Sequence, residues 1–248
     1  MAKVMLVTGA GRGIGAAVAR QAGRRGYAVC VNYLRNAAAA GKVVADVRAA
    51  GGNAVAVQAD VSRDAEVTRL FAELDRQLGR VDVLVNNAGI INGQCRADAM
   101  TEARLSEIFA ANVFSMFYCA REALKRMSTR HGGKGGAIVN VSSAVSRHGG
   151  LPEETHYAAT KGAIDSFTIG LAKEVGREGV RVNAVRPGLI ATEIHAAHGG
   201  QKAVEALAPT IPIGRAGTAD EVAEAVLWLA SEASSYLHGA IIDVSGGR

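Results

Sequence analysis

Cysteines are few in this sequence, and long apolar runs are missing. The three cysteines, Cys30, Cys95 and Cys119, are odd in number, far apart and without the paired spacing of a disulfide framework or a zinc site. No apolar stretch approaches the roughly 20 residues that span a bilayer. The apolar start at residues 4 to 7 is too short for the core of a signal peptide. These absences predict a cytoplasmic protein that does not bind a membrane.

Long runs of one charge are also missing. The 28 lysines and arginines exceed the 23 acidic residues and give a net charge of +5, but they are scattered along the chain. A nucleic-acid surface gathers basic side chains on one patch, often interleaved with aromatic residues. We therefore expect no nucleic-acid partner, and a bound phosphorylated cofactor would account for a few of the cations.

The chain is expected to form one domain over residues 1-248, because no linker-like break and no internal repeat divides it. Its 49% hydrophobic content is ample for a buried core. Short β-branched runs alternate with longer segments of helical periodicity, which is typical of βαβ units. The predicted fold class is therefore α/β, a doubly wound, seven-stranded parallel sheet of the Rossmann-like kind.

The expected elements follow from this alternation. Several of the strand candidates are apolar throughout, as strands covered on both faces should be. The strands are predicted at 4-7, 28-33, 54-58, 81-85, 137-142, 180-185 and 240-244. The helices are predicted at 14-25, 37-50, 64-78, 101-129, 156-175 and 219-231, with Ser62 and Thr218 as N-caps.

A glycine-rich turn follows the first predicted strand and opens the first predicted helix. It reads Thr8-Gly9-Ala10-Gly11-Arg12-Gly13-Ile14-Gly15. Such a turn needs residues without a Cβ, so that backbone amides and the helix N-terminus can approach a pyrophosphate. The motif does not end in the Gly-Lys-Ser/Thr of a P-loop, which excludes nucleotide hydrolysis. We interpret the turn as the site of a dinucleotide cofactor.

Polar residues also follow other strands, at the edge where open parallel sheets bind ligands. Asn86-Asn87-Ala88-Gly89 follows one strand, although an ordinary Asn-Gly type of turn fits these residues equally well. Ser142-Ser143 ends another. Tyr157 and Lys161 share one face of a predicted helix. An ordinary pair of exposed residues would show the same spacing. A neighbouring ammonium favours the phenolate, so Lys161 is expected to lower the pKa of Tyr157 from about 10 towards neutrality.

Together and in order, these motifs resemble the short-chain dehydrogenase/reductase family, among its members of about this length. The resemblance covers nearly the whole chain. The tail, Pro212-Ile213-Gly214-Arg215-Ala216-Gly217 to Gly246-Gly247, resembles 3-oxoacyl-carrier-protein reductases and bacterial sugar or polyol dehydrogenases. The matching residues are Thr8-Gly9-x-x-x-Gly13-x-Gly15, Asp60-Val61, Asn86-Asn87-Ala88-Gly89, Asn112, Ser143, Tyr157-x-x-x-Lys161, Pro187-Gly188 and Thr192.

The resemblance implies an NAD(P)(H)-dependent oxidoreductase that interconverts a carbonyl and an alcohol by hydride transfer. By position, Tyr157 is the proton donor, Ser143 polarises the carbonyl, and Lys161 lies beneath the tyrosine and bonds the nicotinamide ribose. Asn112 is implied to hold a proton-relay water, although an amide satisfied within the core fits the same apolar stretch. The expected cofactor contacts are Gly9, Gly11, Arg12, Gly13, Ile14, Gly15, Asn32, Tyr33, Arg35, Asp60, Val61, Asn87, Ala88, Gly89, Tyr157, Lys161, Pro187, Gly188, Ile190 and Thr192.

The same resemblance implies a homotetramer. Its interfaces are expected to involve the helices at 101-129 and 156-175 and the last strand.

Two departures from the common family pattern bear on these roles. The spacing from Ser143 to Tyr157 is one residue longer than usual, which leaves Ser142 as an alternative. Successive strand residues face opposite sides, so only one of the two serines can face the substrate. Ser245 stands where an aspartate is common before the final glycines, and we attach no mechanism to that change.

The end of the second strand favours NADP(H) over NAD(H). An NAD enzyme usually places a carboxylate there, which accepts hydrogen bonds from the ribose hydroxyls and repels a 2′-phosphate. Here the segment reads Asn32-Tyr33-Leu34-Arg35-Asn36, without an acid. Arg12 adds a second cation, and charge-assisted arginine-phosphate bonds are strong. Two solvated surface arginines are the alternative interpretation. By family position, Asp60 would instead meet the adenine.

The segment from Leu189 to about Thr210 is expected to be a mobile lid over cofactor and substrate. Its His195 and His198 have a spacing that suits a metal if the segment is helical, but beyond Glu193 no nearby ligand completes a set. No metal is therefore predicted.

The substrate is a small molecule that the sequence does not identify further. Its choice depends on the lid and on loop residues that form no diagnostic set, and acyl thioesters, sugars, polyols, steroids and simple ketones all fit the family. A non-catalytic dinucleotide sensor of the same fold is the alternative function. The intact Ser143, Tyr157 and Lys161 argue against it. The loop residues are His148, Leu151, Glu153, Glu154 and His156.

Overall fold

The fold is built on a parallel sheet. A computed structural model of the chain describes residues 2–193 and 200–248, without the side chain of Gln201. The strands are β1 (Val4–Val7), β2 (Ala28–Tyr33), β3 (Asn53–Gln58), β4 (Val83–Asn86), β5 (Gly136–Val141), β6 (Val180–Pro187) and β7 (Ile241–Val244). Their order is β3-β2-β1-β4-β5-β6-β7, and every neighbouring pair is parallel. The order reverses between β1 and β4, so a crevice opens beyond the carboxyl ends of these two strands.

Helices flank the sheet and connect its strands. The α-helices are α1 (Gly13–Arg24), α2 (Ala37–Ala49), α3 (Asp64–Leu78), α4 (Glu102–Phe109), α5 (Ser115–Met127), α6 (Val145–His148), α7 (Thr155–Val175), α8 (Gly200–Leu207) and α9 (Ala219–Ala230). A π turn spans Ala110–Phe114, and short 3₁₀ turns span Ala97–Ala99, Thr129–His131, Gly176–Glu178, Ala208–Thr210 and Glu232–Ser234. Within the described part of the chain, none of the helices has both the length and the apolar character needed to cross a membrane.

Strand β1 fills the apolar cores on both faces of the sheet. Met5 and Val7 pack into one core, whereas Val4 and Leu6 pack into the other. This alternation arises because successive side chains of a strand point to opposite faces. The first core is covered by α1, α2 and α9, and the second by α3, α5 and α7. The predicted doubly wound α/β fold is thereby confirmed.

The seven predicted strands are all present, and their ends differ from the prediction by at most two residues. The helix predicted over 101-129 is present from Glu102 to Met127, but a π turn that was not predicted divides it. Helix α4 ends at Phe109, the π turn follows, and α5 ends at Met127. A π turn inserts one residue without interrupting the apolar face, so the sequence does not mark it. Helices α6 and α8 were not predicted, because each is short and lies in a segment interpreted as a loop or a lid.

The two predicted N-caps have different outcomes. Thr218 caps α9, where its hydroxyl accepts a hydrogen bond from the Glu221 amide and the Glu221 side chain accepts one from the Thr218 amide. Ser62 does not cap α3, which begins after Arg63 without a side-chain cap. The Ser62 amide and hydroxyl instead donate to Asp60 Oδ1, at 3.0 and 2.6 Å. A competing carboxylate two residues earlier therefore engages this serine.

Candidate active site

A cavity of about 250 Å³ lies at the carboxyl ends of β4, β5 and β6, beside the start of α1. It opens at the crevice where the strand order reverses, the position at which this class of sheet binds ligands. Ten of the predicted site residues line it, from five separate segments of the chain. They are Ile14, Asn87, Gly89, Ser143, Tyr157, Lys161, Pro187, Gly188, Ile190 and Thr192.

The glycine-rich turn is held open by its backbone geometry. Gly9 and Gly13 have φ values of 61° and 54°, which side chains rarely adopt. A Cβ on Gly15 would lie 2.5 Å from Asn87 Nδ2 and 2.8 Å from the Gly9 carbonyl. A Cβ on Gly13 would contact Thr192 at 3.6 Å. The turn thus keeps the N-terminus of α1 free of side chains, which fits a pyrophosphate.

The segment after β4 braces this turn. The Thr8 hydroxyl accepts hydrogen bonds from the amides of Asn87 and Ala88, at 2.9 and 3.0 Å. In return, Asn87 Nδ2 donates to the carbonyls of Thr8 and Gly9, at 2.8 and 3.2 Å. Asn86 Nδ2 bonds Asn140 Oδ1 on β5 at 3.0 Å. Asn87 therefore pins the backbone of the glycine turn, which an ordinary connecting turn would not require, whereas Asn86 bonds a side chain of β5.

Some of the residues predicted to contact the adenine, its ribose or the 2′-phosphate are buried, and others are exposed. Asn32 is buried, its Oδ1 accepts from the Gly9 amide at 3.2 Å, and its Nδ2 donates to the carbonyls of Val57 and Ala59. Its side chain supports the glycine turn from within the protein. Tyr33 is half-buried, and its Cβ lies 3.9 Å from the point where a Cβ on Gly11 would be.

The cationic and acidic residues at this end are placed as follows. Arg12 and Arg35 are exposed, and neither forms an ion pair with residues 2–193 or 200–248. Asp60 Oδ1 accepts from Ser62, and its Oδ2 lies 3.4 Å from Arg63 Nε. Val61 is buried in the core beneath α3. The two arginines are therefore available to an anionic group at the surface.

The two candidate serines point in different directions. Ser142 is buried, and its hydroxyl donates to the Lys161 carbonyl at 3.2 Å. The Ser143 hydroxyl accepts from the Val145 amide at 3.4 Å, and its interaction with Tyr157 lowers the pKa of the tyrosine. Both serines lie just beyond the end of β5. The geometry favours Ser143 as the hydroxyl that faces a substrate together with Tyr157.

Tyr157 and Lys161 are both buried on α7, with the Lys161 Nζ 5.6 Å from the centre of the Tyr157 ring. Burial raises the pKa of Tyr157 to about 12, and the negative charge of Glu154 adds to the rise. Burial lowers the pKa of Lys161 to about 8, opposed by the charge of Asp165. The expected fall in the pKa of Tyr157 is wrong in these surroundings, because burial penalises the phenolate. Tyr157 therefore carries its proton at neutral pH.

Asn112 lies in the π turn and is buried. Its Oδ1 accepts from the Ile90 amide at 2.8 Å, and its Nδ2 donates to the Ile90 carbonyl at 2.9 Å and to Thr160 Oγ1 at 3.0 Å. A Cβ on Gly89 would lie 3.1 Å from Asn112 Oδ1 and 3.9 Å from Lys161 Nζ. Asn112 thus joins the loop after β4 to α7 close to the lysine.

The wall of the cavity away from the glycine turn is mainly apolar. Of the loop residues named from the sequence, His148, Leu151 and Glu154 line it. Glu153 and His156 do not contribute to the lining. The lid expected over residues 189-210 stays a prediction: α8 supplies Val204 and Leu207 to the wall, whereas residues 194–199 lie outside the described residues. Six further lining residues were not predicted, because no spacing or motif in the sequence marks them: Ile91, Gln94, Val141, Ala144, Val145 and Arg248.

Among residues 2–193 and 200–248, no three His, Cys, Asp or Glu side chains lie close enough together to hold a metal ion. His195 and His198, weighed as a pair from the sequence, lie outside the described residues.

Residues 9–248 match the family model described as Enoyl-(Acyl carrier protein) reductase. The chain belongs to the short-chain dehydrogenase/reductase family and is an oxidoreductase of that family. It is 46% identical over 245 residues to the oxidoreductase YgfF of Escherichia coli (strain K12), covering 99% of each chain. It is 38% identical to versicolorin reductase 1 of Aspergillus parasiticus, over 99% of this chain and 95% of that protein.

A solved structure supports the same assignment. A mutant short-chain dehydrogenase/reductase of Serratia marcescens superposes with a TM-score of 0.89 at 32% sequence identity. The match covers 99% of this chain and 97% of that one. The resemblance drawn from the motifs is confirmed.

Proposed function

We propose that this oxidoreductase interconverts a carbonyl and an alcohol by hydride transfer with NADP(H), in one catalytic domain over residues 1-248. The observation that carries the proposal is the placement of Ser143, Tyr157 and Lys161 around one cavity that also reaches Ile14, near the end of the glycine turn. The bare backbone at Gly9, Gly13 and Gly15 fits a dinucleotide. When bound, the nicotinamide would supply or accept the hydride.

The side chains in the cavity account for the movement of the proton. In the direction of reduction, the Ser143 and Tyr157 hydroxyls donate hydrogen bonds to the carbonyl oxygen. Tyr157 holds its proton at neutral pH, since its pKa is raised to about 12, and it therefore acts as the general acid. The Lys161 ammonium, close to the ring, stabilises the negative charge that remains on the phenol oxygen. We propose that Asn112 holds a proton-relay water beside this lysine.

The test is a panel of carbonyl compounds with the purified protein and NADPH, followed by the absorbance of the reduced cofactor. The panel spans simple ketones, sugars, steroids and acyl thioesters, each repeated with NADH. Turnover of at least one class is the expected result. Binding of the cofactor without turnover of any compound would favour the dinucleotide sensor instead.

The preference for NADP(H) is proposed to rest on Arg12 and Arg35, two exposed cations beside the glycine turn and the end of β2 that form no ion pair with the described residues. Asn32 is a poor site for testing it, because a carboxylate there would face the carbonyls of Val57 and Ala59. We expect Arg12→Ala and Arg35→Ala each to lower the ratio of kcat/KM for NADPH over NADH by about tenfold, the scale of a bond to a charged group.

The matched control for these variants is Arg24→Ala, which removes an exposed cation at the opposite end of α1. It should leave the cofactor ratio unchanged. A higher kcat/KM with NADH in the unaltered enzyme would overturn the preference itself.

We also propose that the protein is a cytoplasmic homotetramer. Phe114, Phe117 and Ile169 are exposed by 46%, 48% and 42%, and they lie on the helical segments that the family resemblance places at interfaces. Exposed apolar side chains that lie close together mark association surfaces. Light scattering should give about four times the 25.6 kDa chain mass. A stable 25.6 kDa species at micromolar concentration would contradict the tetramer.

A further inference from the structure

Four charged side chains of alternating sign form a series near Tyr157 and Lys161. They are Asp165, Arg186, Asp243 and Arg147. Asp165 lies one helical turn after Lys161 on α7, and its Oδ2 accepts hydrogen bonds from Arg186 Nε and Nη2 at 2.9 and 2.7 Å. Arg186 Nη1 lies 3.6 Å from Asp243 Oδ1, and Arg147 bonds the other oxygen of Asp243. The series thus connects Asp165 to β6, β7 and α6.

Asp165 is the most confined acid of this series. Its residue surface is 8% exposed, and its Oδ1 is buried with no hydrogen-bond partner among residues 2–193 and 200–248. A buried carboxylate oxygen without a partner costs free energy. The two bonds from Arg186 satisfy only the other oxygen. A second interaction of the Asp165 charge would offset part of this cost.

The charge of Asp165 acts on Lys161. Residues four apart on a helix are neighbours on one face. The negative charge of Asp165 raises the pKa of Lys161 and opposes the effect of burial. The Lys161 ammonium itself donates to the Val141 carbonyl at 2.9 Å, a neutral acceptor that leaves its charge unpaired.

We propose that Asp165 is a positioning residue of the active site, whose buried carboxylate is the counter-charge that holds Lys161 as an ammonium. This inference rests on the role proposed above for Lys161. Arg186 anchors Asp165 from β6, and Asp243 with Arg147 completes the series at the surface. Asp165 acts through the lysine, and its own contacts are with Arg186.

The outer end of the series serves a different part of the site. Arg147 belongs to α6, whose Val145 and His148 line the cavity. Its bond to Asp243 fastens that wall to β7. Arg147→Ala is therefore expected to raise KM without moving the alkaline limb of the pH profile. Asp165→Asn is expected to move the alkaline limb without raising KM. The two variants therefore separate the effect on the charge of Lys161 from the effect on the cavity wall.

The test is Asp165→Asn, which keeps the shape of the side chain and removes its charge. The alkaline limb of the kcat/KM profile should move to lower pH by about one unit, the scale of an opposite charge at close range. The pKa of Lys161 is also read without turnover, from competitive acetylation of its amine by acetic anhydride and mass spectrometry. Because a lower pKa exposes more neutral amine, the labelling rate of Lys161 at pH 7 should rise about tenfold.

Three controls make the result specific. Lys173, exposed on the same helix, should label at an unchanged rate in every variant. Asp165→Glu keeps the charge and should keep the position of the alkaline limb. Asp46→Asn, which breaks the 2.7 Å pair with Arg20 on α1, should shift neither readout. If Asp165→Asn does not fold, Asp165→Ser, smaller and also neutral, should give the same shift.

Unchanged labelling of Lys161 together with an unchanged pH profile would overturn the inference while leaving the proposed reaction intact. A shift in labelling in a protein that turns over no carbonyl compound would instead reject the proposed reaction and keep the charge pairing.

Discussion

Replacing Tyr157 by phenylalanine is expected to lower turnover by at least ~10²-fold, the scale of general acid-base catalysis by one side chain. The substitution removes the hydroxyl proposed as the proton donor, while the buried ring keeps its packing. The Tyr157 hydroxyl does not support the glycine turn, which is braced by Thr8, Asn87 and Asn32. Binding of the cofactor, measured by the fluorescence of NADPH, should therefore change little.

The control for this variant is Tyr236→Phe, which removes the same atom from a fully exposed ring. Its turnover should match the unaltered enzyme. If Tyr157→Phe kept nearly normal turnover, the proton would have to come from another group, and Tyr157 would lose its assigned role.

Replacing Gly15 by alanine is expected to weaken NADPH binding by about 10²-fold. The added methyl group would lie 2.5 Å from Asn87 Nδ2 and 2.8 Å from the Gly9 carbonyl, so the brace and the turn must move apart. Overpacking of this kind costs about 1–3 kcal/mol, and each 1.4 kcal/mol corresponds to about a tenfold change in affinity. Fluorescence titration with NADPH measures the loss, and a thermal melt shows whether the fold persists.

Gly41→Ala is the matched control, because a Cβ at this position of α2 meets no atom within 4 Å. Alanine there should leave the affinity unchanged and stabilise the helix by about 0.5–1 kcal/mol. Equal NADPH affinities for the Gly15 variant and this control would show that the cofactor does not approach the turn.

The fold was largely predictable because its signals are local. Strands buried on both faces are apolar throughout, as β1 is, and the order of short and long segments indicated a doubly wound sheet. The π turn within the helix over 101-129 was not predictable. The apolar periodicity continues through Ala110–Phe114, so the sequence does not mark the π turn. Only the structure shows that this turn carries the side chain of Asn112 to Ile90 and Thr160.

The candidate site was predictable wherever spacing fixes direction. Tyr157 and Lys161 share a helix face at any burial. Both candidate serines line the cavity, so the sequence alone did not choose between them. Side-chain direction at a strand end is not fixed in this way, so the inward orientation of Asn32 was not visible in the sequence. The pKa of Tyr157 depends on burial, which comes from tertiary packing, and the substrate wall comes from loops without periodicity.

The side chain of Asn112 has a mechanical consequence for the chain that leaves the sheet after β4. It bonds both the amide and the carbonyl of Ile90, the same pair of bonds that a neighbouring strand would exchange with that residue. The Asn112 side chain thus forms, beyond the end of β4, the two hydrogen bonds that a residue of a neighbouring strand would form. The backbone beside Gly89 therefore cannot slide along the strand axis, and its distance from Lys161 is fixed by a side chain of the π turn.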